Sequence, residues 1–215
     1  MKEGEWRFWS RGRILFHKFF GLLHEFWSGE PLFADGSNRM RGQFKMDKGG
    51  LAGSHVRVSA PSWHKGASAP TENDVGLFHT LVYDAGHDDE VHYTLLAPFR
   101  MKAGTDIVIT VKWTYTGAQD NGTLHWACEY ICVGDGETVD GSTTTTTITT
   151  AGNHPTGKKV TTKFTTGIIG AAADDDIGIH LYRDFSEDTL NADAELISVH
   201  FRFTMDKLGE HLSHT

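Results

Sequence analysis

The chain has 215 residues, 39% hydrophobic, 22% charged and 11% aromatic, with 24 glycines and a formal net charge of −8 from 20 basic and 28 acidic side chains. That length suits one good-sized domain plus an appendage, and the glycines and many threonines favour strands joined by turns over a helical bundle. The acidic balance leaves no basic footprint for a phosphate backbone, so nucleic acid is not an expected partner.

Residues 1–30 carry a helical period. Phe8, Gly12, Leu15, Phe19, Leu22 and Phe26 recur at spacings of three and four, which places them in one stripe, and Phe16, Phe20, Leu23 and Trp27 widen it. A face that wide needs cover: its own domain, other copies or a partner protein, or a membrane interface. A docking or oligomerising segment using Phe8, Leu15, Phe19, Leu22 and Phe26 is the expectation carried forward. The one basic cluster, Arg7, Arg11, Arg13 and Lys18, lies here and suits an acidic surface or a membrane. Charges at Arg11, Arg13, Lys18, His24 and Glu25 break the apolar run, so neither a secretory signal nor a transmembrane helix is expected. Gly29 and Pro31 close the helix.

Residues 31–52 read as a stem or linker with little core-forming potential and turn signals at Asp35-Gly36 and Arg41-Gly42. Ala34, Asp35, Gly36, Ser37, Met40, Gly42, Phe44 and Met46 fall in a pattern that resembles the short stem preceding the globular head of tailed-bacteriophage fibre and spike proteins. The resemblance covers about fifteen residues. It implies a segment intertwined with two other copies, hence a homotrimer with Met40, Phe44 and Met46 at the contact. It also implies a place on the virion, with other virion proteins of tail or capsid as partners through the N-terminal segment.

Residues 53–207 form a succession of period-two runs between glycine- and aspartate-rich turns. Strands are expected at 54–59, 76–83, 90–99, 105–116, 122–133, 142–150, 158–168, 177–183 and 194–205, with a tail at 208–215. In 105–116 the apolar set is Ile107, Ile109, Val111, Trp113 and Tyr115. In 122–133 it is Leu124, Trp126, Cys128, Tyr130 and Cys132, and in the last strand Ile197, Val199, Phe201, Phe203 and Met205. Asn121-Gly122 reads as a hairpin connection. This pattern predicts an all-β, antiparallel jelly-roll-type β-sandwich preceded by the α-helical attachment segment and stem. The run from Ser142 to Thr150, broken only by Ile148, reads as an edge or two-sided strand, on a plain surface or at an interface between copies.

The stretches Gly178 to Asp184 and Asp188 to Ala194, followed by the last strand, resemble the closing strands of jelly-roll domains in phage tail and head proteins, with Trp113, Gly122 to Trp126 and Leu95 to Pro98 fitting the same scheme. The resemblance implies structural roles for Arg183 and Asp184, pairing at a sandwich corner.

The candidate chemistry is sparse. His87, Asp88, Asp89, Glu90 and His92 form the densest group of ligand types, yet no second group flanks them at a diagnostic spacing, so a solvated turn is expected. Asp174, Asp175 and Asp176 lack the alternation and glycine of a calcium loop and read the same way. Cys128 and Cys132 share one face of a strand too straight to bridge them, and read as free, inert thiols. No catalytic, cofactor or metal residues are assigned, and no enzyme is expected. The expected function is that of a structural protein of a bacteriophage virion, a trimeric tail fibre or spike component. The alternatives are a capsid decoration or head fibre protein, or a carbohydrate-binding module that meets a host surface glycan through Trp63, His64 and Tyr182.

Overall fold

A computed structural model of the chain describes residues 52–116 and 121–205. The segments carrying the expected docking and stem residues, Phe8, Leu15, Phe19, Leu22, Phe26, Met40, Phe44 and Met46, lie outside them.

The described residues form an antiparallel sandwich of two sheets, with no α-helix among them and one 3-10 turn at Ala60–Ser62. The strands are β1 (Ala52–Ser59), β2 (His64–Lys65), β3 (Thr71–Val75), β4 (Phe78–Tyr83), β5 (Glu90–Leu96), β6 (Val108–Tyr115), β7 (Thr123–Val133), β8 (Thr144–Ala151), β9 (Val160–Lys163), β10 (Asp176–Arg183) and β11 (Ala194–Met205). One sheet runs β3-β4-β11-β6-β9, with β1 also on β11; the other runs β2-β5-β10-β7-β8. β11 is long enough to hold two neighbours on one side, β4 against Ala194–Leu196 and β1 against residues 198–205.

The period-two pattern explains the core. Ile109, Val111, Trp113 and Tyr115 of β6 point inward and are buried, as do Leu124, Trp126, Cys128 and Tyr130 of β7 and Ile177, Ile179 and Leu181 of β10. Each buried aliphatic or aromatic side chain contributes about 1.5–3 kcal/mol relative to exposure. Tyr83 meets Trp126 edge-on across the two sheets at 5.0 Å between ring centroids.

Four features depart from the sequence reading. β6 and β7 lie in different sheets, so the segment around Asn121-Gly122 crosses the sandwich and is not a hairpin turn. The hairpin is instead β3–β4, whose turn glycine Gly76 has φ +61°, a region open to glycine because it lacks a Cβ. In β11 the register shifts between Leu196 and Ser198, so Ile197 is the extra residue of a bulge. Beyond it Leu196 and Ala194 take the inward positions that strict alternation would deny them, and all three residues are buried.

The fourth concerns the acid-rich turns. Asp89 is only 2% exposed, and its Oδ2 accepts the Asp84 N–H at 2.7 Å. Asp88 accepts the Phe185 N–H at 2.7 Å. Asp89 is thus a buried brace, while His87 and Asp88 stay exposed as a solvated turn would have them. At the other turn Asp174 and Asp176 are exposed as expected, while Asp175 accepts the Ala172 N–H at 2.7 Å.

Arg183 has the structural role implied for it, with a different partner. Its guanidinium is fully buried, Nε donates to Asp188 Oδ2 at 2.7 Å, and its other nitrogens donate to the carbonyls of Tyr83 (3.2 Å), Ala192 (3.0 Å) and Leu190 (2.5 Å). Asp184 instead accepts the Ser186 hydroxyl at 2.7 Å. The rigid fork of arginine suits this role, because it satisfies one carboxylate, two loop carbonyls and the last carbonyl of β4 at once.

Candidate functional site

The outer face of the five-stranded sheet carries the polar half of each alternating strand. β5 sends out Glu90, His92 and Thr94, β10 sends out Gly178, His180 and Tyr182, and β7 sends out His125, Glu129 and Ile131. Antiparallel pairing aligns His64, His92, His180, Glu129 and Thr145 in one row running across all five strands. The next row on the same face is Thr94, Gly178 and Ile131. Since Gly178 has no side chain, the sheet is depressed there, and a shallow trough of about 550 Å³ opens between the two rows. Imidazoles of His64, His92 and His180 form one wall; Thr94, Ile131, Thr143 and Glu129 complete it. A Cβ on Gly178 would sit 3.2 Å from Ile131 Cγ2, so the floor is close to its neighbour as well as bare.

The wall is internally bonded. His92 and His180 stack with centroids 4.6 Å apart at 17°, and the Tyr182 ring lies 4.9 Å from that of His180. Glu129 Oε2 lies 3.1 Å from His180 Nδ1, and its Oε1 accepts the Thr143 hydroxyl. Glu90 Oε1 accepts the Ala67 N–H at 2.8 Å while Oε2 lies 2.9 Å from His180 Nε2. That Nε2 is buried and finds no partner with hydrogen-bond geometry. One ligand-type atom from each of Glu90, His92 and His180 falls within 4.8 Å of the others.

These contacts set the charges. The Thr143 hydroxyl first, and His180 next, hold the Glu129 carboxyl below its ordinary range against the opposing effect of burial. Burial would raise Glu90, but the Ala67 and Ser68 N–H groups together with His180 outweigh it and leave its carboxyl lowered. Burial foremost, with His180 and His64 adding, lowers His92. Both acids are therefore ionised acceptors and His92 favours its neutral form near pH 7.

Known protein families and curated proteins contain no match to the sequence. Solved structures do resemble the fold. The CBM36-1 domain of a multidomain xylanase from the hindgut metagenome of Trinervitermes trinervoides is 14% identical, over 69% of this chain and 96% of that one, with a TM-score of 0.45. A CBM35 from Cellvibrio japonicus is 10% identical over 69% and 92%, at 0.40. The isomalto-dextranase of Arthrobacter globiformis, complexed with panose, is 14% identical over 68% of this chain and 23% of its own, at 0.46. At such identities no residue of the trough is carried over from them.

Of the residues expected to meet a glycan, Tyr182 stands half-buried on this outer face, beside His180 but on the side away from Gly178. Trp63 does not contribute. It is 5% exposed and packs on Tyr93 at 5.3 Å and Phe201 at 6.4 Å, because the 3-10 turn before it rolls its ring into the core. His64, also expected as a glycan contact, does line the trough; sequence reading missed His92, His180, Glu129 and Gly178 as its neighbours. Alternation puts most of them on solvent faces, but β5, β10 and β7 are not consecutive, so nothing local reveals that they become neighbours.

Proposed function

We propose that this sandwich, of jelly-roll type, is a non-catalytic carbohydrate-binding domain whose site is the trough over Gly178. The observation that carries this reading is the trough itself: a bare glycine floor bordered by imidazoles, the ionised carboxylate of Glu129 and the threonine side chains of Thr94 and Thr143. Ring faces suit the apolar side of a pyranose, while a carboxylate accepts hydrogen bonds from vicinal hydroxyls, and a few fixed polar groups set orientation. Glu90 and Glu129 are poorly suited to glycoside hydrolysis, which needs one carboxyl with a raised pKa as general acid; here both are lowered. With a net charge of −8 the chain favours neutral or amino sugars over acidic ones.

Glycan-array binding of the full chain tests this reading. Wild type is expected to retain neutral or amino oligosaccharides, and Gly178→Val, which fills the floor with a β-favouring side chain, to lose them. Retention unchanged in a folded Gly178→Val, or no retention by wild type, would overturn it.

A second reading concerns where the domain is displayed. The stem resemblance at residues 34–46 favours a trimeric surface protein of a bacteriophage particle, on tail or head, with the sandwich held outward to meet a host glycan. Light scattering on the full chain then gives a trimer mass; a stable monomer contradicts it.

A further inference from the structure

Glu90 and Glu129 face the two ring nitrogens of His180, two acids about one imidazole. Its Nε2 is buried, 2.9 Å from Glu90 Oε2, and lacks hydrogen-bond geometry toward any partner. A buried ring nitrogen and a carboxylate oxygen at that distance need a positive centre between them, a proton or a metal ion. A divalent cation in that place accepts an electron pair from each.

We propose that Glu90, His92 and His180 form a binding site for a first-row divalent transition ion of zinc type, with Glu129 as the positioning residue. Two imidazoles and one carboxylate are a donor set that suits zinc and leaves its fourth position open, here toward solvent on the outer face of the sheet. The atoms already converge within 4.8 Å. Each of the two groups that faces the other is also fixed from behind. Glu129 takes the Nδ1 side of His180, the carboxylate-histidine arrangement that sets the tautomer so that Nε2 presents its lone pair. The Ala67 N–H takes Oε1 of Glu90 and leaves Oε2 turned inward. Gly66 permits this, since a Cβ there would collide with the Glu90 carboxylate. His87, Asp88 and Asp89, nearby in sequence, contact other partners and stay out of the set.

This inference goes beyond glycan binding and stands without it, because the probe is zinc alone. Zinc added to metal-free full chain is expected to raise the melting temperature, since an ion bound by the folded state stabilises it by mass action, and titration against a chromophoric chelator counts the sites. The pair His92→Ala/His180→Ala should lose one zinc equivalent and the thermal shift, and His87→Ala should lose neither. Glu129→Gln, a mild change at an outer-face position, should weaken that equivalent by about 10–100-fold without removing it. Far-ultraviolet dichroism confirms that each variant is folded. Zinc stoichiometry and thermal shift unchanged in the double variant, or equal loss in His87→Ala, overturn the site.

Discussion

At the scale of single residues, the most consequential side chain is Arg183, invisible as such in the sequence because a charged residue near a strand end ordinarily faces water. Its burial follows from the period of β10, which puts residue 183 in phase with Ile177, Ile179 and Leu181. Three of its four acceptors lie in the loop from Asp188 to Ala192, and the fourth is the Tyr83 carbonyl at the end of β4. Replacing it by alanine leaves the carboxylate of Asp188 and three carbonyls without their donor, so Arg183→Ala should cost about 3–5 kcal/mol of folding free energy, read by urea denaturation; a loss under 1 kcal/mol would show that the fork is dispensable. His200, on the outer face of the six-stranded sheet, offers a pH test. Burial first, then Lys112, Arg57, His55 and Arg202, lower it below its ordinary value of 6.5. The folded state therefore resists a proton that the unfolded chain accepts, so this residue's contribution to stability is present above pH 6.5 and is lost as pH falls below it. Exposed His79, raised by its bond to Asp74, acts in the opposite sense, so the comparison must be between proteins differing only at residue 200. His200→Gln should lose less stability than wild type between pH 7 and 5; equal losses would contradict the assignment.

At the scale of elements, legibility tracked how local each cause is. β6 and β7 were readable because alternation is a property of the strand alone: their expected apolar sets are buried except Cys132, which is half-buried, while Thr114 and Ala127 are buried out of phase. β11 was readable in extent and in phase from Val199 onward but not before Ser198, because its bulge answers to the register of β6 and not to its own composition. The short β2 and the polar β3 were missed for lack of any apolar alternation; both are edge strands supported by their neighbours. The threonine-rich β8 is an edge strand too, with Thr146 and Ile148 turned in. Within β7, burial pushes the Cys128 thiol up to about 12 and Cys132 to about 11, so neither has a reactive thiolate fraction near neutrality. Both cysteines should stay unmodified by a thiol reagent at pH 8 in the folded protein and react fully after unfolding without reductant. Rapid labelling of the native protein would contradict the packing given to β7.

At the scale of the whole molecule, the two faces of the sandwich divide structure from function. The six-stranded sheet buries even polar groups on its outer side, as where Glu195 accepts from Thr80 and Thr116 at 2.9 Å each. The five-stranded sheet keeps its titratable groups clustered about a bare floor. That contrast was illegible in the sequence, since strands distant along the chain bring His92, His180 and Glu129 into one row, and only the sheet order β5-β10-β7 joins them. The central claim is that this row borders a glycan site, and the most direct measurement is nuclear magnetic resonance of isotope-labelled protein titrated with an oligosaccharide retained on the array. The account predicts shifts confined to the His64, His92, Thr94, Glu129, Ile131 and Gly178 neighbourhood and abolished in Gly178→Val; shifts centred on the six-stranded sheet or on the loops at either end of the sandwich would contradict it.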